Sequence, residues 1–318
     1  MIAVPRRSLN RIAFNLRNTS RQSAAEQRRG EPSAFGMLKT LRRLFVADEP
    51  AESLPPDDKI TLADVLKHGW FEQWYQPKIE LKTMRLAGAE ALVRARHPRR
   101  GVLPPGVFLP GAKEADMLAL TERVIVRALE DWVECAEHGM SIKLAVNVPV
   151  SALISLPIAG MVREGRPPAE NWPGLILEVT EDEIIHDLKL ANDVAGALHE
   201  SHCTLALDDF GAGYSSIARL RQLPFSELKI DRAYVMNCHL DRVNAGLCEV
   251  FVELAKRFGL KSVAEGIETT HESHKLQALG ADVGQGYLFA KPMPKQQLIG
   301  LMRKRLVAAP AEPRRRSA

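Results

Sequence analysis

Cysteine is scarce: Cys135, Cys203, Cys238 and Cys248 are the only four in 318 residues, and no two stand in a C-x-x-C pair. That spacing excludes a small disulfide framework and offers no zinc knuckle, so the thiols read as reduced side chains of a cytoplasmic protein. Long apolar runs are missing too. The longest uncharged stretch, 144–162, reaches membrane-span length but is broken by Asn147, Pro149 and Pro157 and punctuated by serines, so it reads as strand, turn and helix. The apolar start at 1–5 is too short for a secretion signal. Neither a G-x-x-x-x-G-K-[ST] nor a G-x-G-x-x-G loop occurs, which removes the usual cradles for a nucleoside triphosphate or a dinucleotide cofactor.

A surplus of basic charge is absent from the body of the chain, although the net charge is +4. Residues 1–46 hold ten Arg/Lys against two acids, and residues 303–318 hold six against one, so the segment between them is acidic. An acidic body excludes a broad basic groove for long nucleic acid and leaves only the basic tails to touch a membrane surface or an acidic partner. What is present is ordinary for a globular protein: 46% hydrophobic and 26% charged residues.

The composition divides the chain into three. Residues 1–58 are a basic leader in which 37–45 carry apolar residues at helical spacing, followed by an acidic, proline-containing linker at 48–58. Residues 59–307 are the folded domain, and 308–318 a basic tail. Within the domain, apolar runs of four to eight residues alternate with helical periodicity. Strands are predicted at 72–80, 85–94, 143–148, 174–180, 204–209, 227–231, 261–265 and 283–288, with helices after most of them. Eight strands in this alternation predict an α/β fold, a TIM-like (β/α)8 barrel. Only 81–84 separate the first two, too few for a helical crossover, so the barrel is expected to begin with an irregular, antiparallel strand pair.

In such barrels the C-terminal strand ends converge on one face. Here those ends present Glu90, Asn147, Glu178 with Glu181, Asp208 with Asp209, Lys229, Glu265 with Glu268, and Gln285. Runs such as Leu175-Ile176-Leu177-Glu178 and Leu205-Ala206-Leu207-Asp208 drive carboxylates in behind buried apolar strands, where unpaired negative charge is costly. Cations must compensate them. Carboxylate and amide oxygens suit hard divalent ions such as Mg²⁺ or Mn²⁺, and the scarcity of His and Cys in the set disfavours zinc. Adjacent Asp208 and Asp209 can serve neighbouring sites, and paired ions about 3.5–4 Å apart suit phosphodiester hydrolysis.

The segment Glu90-Ala91-Leu92-Val93-Arg94 resembles the signature of EAL-domain cyclic di-GMP phosphodiesterases. Tyr75-Gln76-Pro77-Lys78, Val146-Asn147-Val148, Glu178-Val179-Thr180-Glu181, the run from Asp208 to Ser216, Lys229-Ile230-Asp231-Arg232, Ala264-Glu265-Gly266-Ile267-Glu268 and the run from Gln285 to Pro294 follow in the family's order over about residues 70–300. The resemblance implies that Glu90, Asn147, Glu178, Asp208 and Glu265 hold a first metal ion and that Asp209 helps to bind a second. It implies a catalytic set of Lys229, which orients or activates the attacking water, with Glu265, Glu181 and Glu268. Glu181 anchors the loop after Asp209, and Glu268 and Gln285 support the site. Gln76, Arg94 and Gln285 are implied to face the dinucleotide, Arg94 through a guanidinium fork suited to phosphate.

The implied activity is metal-dependent hydrolysis of cyclic di-GMP to linear pGpG, which in bacteria governs biofilm formation and motility. The implied state is a homodimer. The alternative is a receptor that binds cyclic di-GMP without turnover, the fate of members that lose catalytic residues. Two departures stand out: Ala95 where the family commonly has Trp, and Pro149 where Ser commonly follows the asparagine. Neither removes a metal ligand, but Pro149 deletes a hydroxyl and a backbone donor beside Asn147. No Gly-Gly-Asp-Glu-Phe run, the mark of the opposing cyclase, occurs in the chain.

Overall fold

The computed structural model describes residues 59–167, 170–180, 188–211 and 225–308. The leader with its helical stretch at 37–45, the linker, Glu181, the later part of the loop after Asp209 and the end of the basic tail lie outside the described residues. Helix α1 (Leu62–His68) opens the fold behind a capping box, in which the Thr61 hydroxyl accepts from Asp64 N while the Asp64 carboxylate accepts from Thr61 N. Then follow β1 (Phe71–Glu80), β2 (Leu86–His97), β3 (Gly101–Leu103), α2 (Pro105–Phe108), α3 (Glu114–Glu137), β4 (Lys143–Asn147), α4 (Val150–Ser155), α5 (Ile158–Gly165) and β5 (Leu175–Thr180). The second half runs α6 (Leu188–Glu200), β6 (Cys203–Phe210), β7 (Phe225–Ile230), α7 (Arg232–Val235), α8 (Arg242–Arg257), β8 (Lys261–Ala264), α9 (Thr270–Leu279), β9 (Val283–Gly284), β10 (Met293–Pro294) and α10 (Lys295–Ala308).

Eight of these strands close a barrel in the order β1-β2-β4-β5-β6-β7-β8-β9, and β9 returns to β1. All neighbouring pairs are parallel except the two that involve β1, which runs against both β2 and β9. The expected (β/α)8 barrel with an antiparallel first pair is therefore present. Strands β3 and β10 lie outside the ring, paired to β2 and β1. At three and two residues they are too short to carry a period, which is why the sequence pattern does not announce them. The last barrel strand is shorter than the expected 283–288, because the chain turns at Gly286, whose carbonyl accepts from Phe289 N and Ala290 N.

Alternation along each strand separates two fillings. Leu144, Val146, Leu175, Leu177, Leu205 and Leu207 belong to the large core cluster that packs the barrel against its helices. Their neighbours Ala145, Ile176 and Ala206 form a separate small cluster on the opposite, interior face. Two positions further along that interior face stand Asn147, Glu178 and Asp208. The outer layer thus carries most of the apolar burial, and the interior is freed for polar groups. Among the described residues no helix is long and apolar enough to cross a membrane.

Candidate active site

Four strands deliver five carboxyl groups to one opening. Lys229, from the end of β7, stands at their centre and is 1% exposed. Its Nζ lies 2.6 Å from Glu178 Oε2, 2.8 Å from Glu265 Oε1, 3.1 Å from Asp208 Oδ2 and 3.9 Å from Glu90 Oε1. Burial alone would strip its proton, but Asp208, Glu178, Glu265 and Glu90 more than offset that and hold its pKa well above the ordinary lysine range. Within this ring of carboxyl groups Lys229 is held as an ammonium.

Asp208 and Asp209 adjoin in sequence, and strict strand alternation would send them to opposite faces. The chain avoids this with a bulge. Between Leu207 and Phe210 β6 advances three residues while β7 advances two, and Asp209 takes a left-handed φ of 62°. Oxygens of Asp208, Asp209 and Glu265 consequently lie within 4.8 Å of one another. Asp209 N donates to Asp208 Oδ1 at 2.8 Å, which fixes that carboxylate. Gly211, two residues on, has φ +94°, and a Cβ there would meet the Phe251 ring at 2.6 Å, so only glycine fits the exit from the bulge.

On the other side, Asn147 Nδ2 donates to Glu90 Oε1 at 2.7 Å and Gln285 Nε2 to Glu90 Oε2 at 2.6 Å. Gln285 Nε2 also reaches Gln76 Oε1 at 3.0 Å, and Gln76 Nε2 donates to the Ala290 carbonyl at 3.1 Å. Gln76 is fully buried, with its amide committed to this chain of bonds. Arg94 lies on the same face of β2 as Glu90, four residues or about 13 Å nearer the rim. Its guanidinium stacks over Trp74 at 5.6 Å and donates to the Val93 carbonyl at 2.8 Å. Glu268 sits further out, half-exposed and paired with Arg232, whose stem covers Gly266 next to Glu265.

The structure thus brings together Glu90, Asn147, Glu178, Asp208, Asp209, Lys229, Glu265 and Gln285, with Gln76 behind them, Arg94 at the rim and Glu268 to one side. Two interior groups escaped sequence reading. Lys78 donates to Glu178 Oε1 at 2.6 Å and to Glu227 Oε2 at 3.2 Å from below. The available signal was parity: Lys78 shares a strand face with Gln76, and Glu227 with Lys229.

Acidic groups outnumber basic ones in this cluster. Burial raises the pKa of Glu265 strongly and those of Asp208 and Glu90 as well, with Lys229 only partly opposing it. Glu178 is the exception: burial raises it, but Lys229 and Lys78 overrule that and hold it at about 2. Five carboxyl groups face two ammonium groups, one of which also serves Glu227. With all-oxygen donors and a shortfall of positive charge, the cluster fits hard divalent cations.

The family model described as the EAL domain matches residues 60–292. The cyclic di-GMP phosphodiesterase RocR of Pseudomonas aeruginosa is 36% identical over 247 residues, covering 75% of this chain and 62% of RocR. The cyclic di-GMP phosphodiesterase PdeL of Escherichia coli is 30% identical over 259 residues, covering 80% of this chain and 71% of PdeL. The chain therefore spans less than two thirds of RocR. Among solved structures, the PaMucR phosphodiesterase in complex with c-di-GMP superposes with a TM-score of 0.67 at 33% identity, over 74% of this chain and 97% of that one.

Proposed function

The chain belongs to the EAL domain family, and from that premise we propose that it hydrolyses one phosphodiester bond of cyclic di-GMP, giving linear pGpG, in the cytoplasm of a bacterium. The observation that carries the reading is the ring of Glu90, Glu178, Asp208 and Glu265 around Lys229, with Asp209 turned to the same opening by the bulge.

Glu90, Asn147, Glu178, Asp208 and Glu265 would hold one Mg²⁺ or Mn²⁺ ion, and Asp209 with its neighbours a second. Ions so placed supply Lewis-acid polarisation of the phosphodiester and lower the pKa of a water. The protein does the rest. Asn147 and Gln285 pin both oxygens of Glu90, leaving the Asn147 carbonyl oxygen as the atom for a cation. Lys229, at the centre of the ring, orients or activates the attacking water. Arg94, stiffened by Trp74, offers its guanidinium to a substrate phosphate at the rim, where a planar fork can make two charge-assisted bonds. Gln76 and Gln285 act on the substrate side through Glu90. Glu268 keeps Arg232 over the turn that carries Glu265. Glu181 keeps its expected part in anchoring the loop after Asp209.

The test is incubation of the purified protein with cyclic di-GMP and each divalent ion, with products separated by chromatography. The expected result is pGpG in the presence of Mg²⁺ or Mn²⁺ and its loss in Glu90→Ala. Tight binding without turnover would favour the receptor reading, and neither binding nor turnover would end both. A homodimer is the state we propose. Leu240, Val243 and Val250 support it as an exposed apolar strip on and before α8, and sedimentation of Val243→Glu against wild type tests it.

A further inference from the structure

Below the ring of acids, β1 sends Lys78 across the barrel interior. Its side chain is 3% exposed, and burial alone would discharge it, but Glu178 and Glu227 keep it firmly protonated. The place is built for it. β1 carries a bulge between Lys78 and Ile79, and the residue opposite Lys78 is Gly88, where a Cβ would meet the Lys143 carbonyl oxygen at 2.7 Å. The interior positions of β4 and β6 nearby are Ala145 and Ala206, both fully buried and small, which leaves room for a four-carbon stem.

An ion pair alone does not account for this arrangement. Apolar side chains of similar volume would fill a barrel floor at no loss of stability, and often with a gain. Nor is Lys78 the sole counter-ion of Glu178, since Lys229 lies 2.6 Å from Glu178 Oε2. What Lys78 adds is direction. Its shorter contact, 2.6 Å, goes to Glu178 Oε1 and the longer, 3.2 Å, to Glu227. Glu178 is thereby gripped from below at one oxygen, and only Oε2 is left to face the opening.

We propose that Lys78 is a positioning residue for the reaction: it fixes the plane of the Glu178 carboxylate so that a single oxygen is presented to a divalent cation. The proposal rests on the metal-dependent reading of the site. Lys78 touches neither substrate nor cation, and acts through Glu178, as partners behind metal ligands do at a typical cost of about 10- to 100-fold in affinity or activity when removed.

The experiment is a calorimetric Mn²⁺ titration, with steady-state kinetics, of wild type, Lys78→Met and Lys78→Met/Glu227→Leu. The double variant matters because the single one leaves Glu227 buried without its counter-ion, whereas an apolar pair restores a packed floor. Both variants are expected to bind Mn²⁺ about 10- to 100-fold more weakly, to lose kcat at fixed Mn²⁺, and to keep the KM for cyclic di-GMP within about 2-fold. The double variant is expected to unfold near the wild-type temperature. For Lys78→Met simple charge repulsion predicts the opposite sign, since deleting a cation behind the site would tighten Mn²⁺ binding, while the double variant leaves the net charge unchanged. Wild-type or tighter Mn²⁺ affinity in the double variant would therefore overturn the proposal while leaving the metal-dependent reading intact. Wild-type protein that binds no Mn²⁺ would overturn both.

Discussion

Replacing Lys229 by Met removes one ammonium while keeping the length of the stem, and the structure says how much should follow. Four carboxylates lose their common counter-ion, three of them from within 3.1 Å. At an effective dielectric of about 20, a single pair of unit charges at 4 Å interacts by about 4 kcal/mol, so four such contacts far exceed what the fold can lose. Most of that is offset, because the lysine no longer has to be desolvated and some acids take up protons. Breaking a buried ionic group by deleting one partner costs about 3–5 kcal/mol in practice. For a domain of this size, about 2–4 °C per kcal/mol converts that to a fall of about 6–20 °C in Tm in the presence of EDTA. Mn²⁺ should then raise the Tm of the variant more than that of wild type, because the ion replaces a charge the variant lacks and stabilises by mass action. Turnover should be lost throughout. A variant with the wild-type Tm in EDTA, or one that gains no more from Mn²⁺ than wild type does, would refute the view that these acids are ionised together around one cation.

The pH dependence of stability has a sign that can be worked out. Glu265, Asp208 and Glu90 have folded pKa values above their unfolded ones, so the folded state holds more protons and stability falls as pH rises from about 4 through those raised values. Glu178 works oppositely, its contribution being present above about 4.5 and lost as pH falls toward about 2. Divalent ions favour the charged forms, so urea unfolding from pH 4 to 8 should show stability in EDTA falling progressively below that in Mn²⁺. A pH-independent difference would contradict it. Gly211→Ala should cost about 2–4 kcal/mol, from a left-handed φ and overlap with Phe251, and should lower kcat because the strain falls beside Asp209. Wild-type unfolding and kinetics in that variant would sink the argument. Tyr75→Phe removes the hydroxyl that donates to Asp131 at 2.7 Å outside the barrel, and should cost about 1.5–3 kcal/mol in urea unfolding with kcat unchanged. A matching loss of kcat would show that this outer network reaches the site.

How much of this was legible beforehand depends on whether a feature repeats. The barrel was, because β4 to β8 each show as a short apolar run alternating with helical periodicity, and the four residues at 81–84 are too few for any link but a hairpin. The acids were, because each ends an apolar run, and position along a run becomes position at the mouth. Three features were not. The bulge at Asp208 and Asp209 is a departure from periodicity, and a pattern cannot announce its own exception. The burial of Gln76 beneath Gln285 is a contact across the antiparallel β1, whose direction reverses the meaning of its strand end. Lys78 stood in the motif Tyr75-Gln76-Pro77-Lys78 but without a role, since the pairing that matters joins β1 to β5 and β7 across the barrel, over 100 and 149 residues of sequence.

Those misses share a cause that bears on how the site persists. The outer core, from Val65 to Leu298, supplies apolar burial enough to hold the strands whatever lies inside. The interior can then be spent on charge. Its apolar filling includes the small cluster of Ala145, Ile176 and Ala206, and beside it Glu227, Lys78, Glu178 and Lys229 follow one another in alternating sign from floor to mouth. Stability and chemistry are thus written on opposite faces of the same strands, one residue apart. Substitutions at Leu175 or Leu177 should therefore register in the unfolding curve, while those at Ile176 or Glu178 should register first in cation affinity, and the alternation itself, more than any single residue, is what lets a packed barrel keep a mouth crowded with like charges.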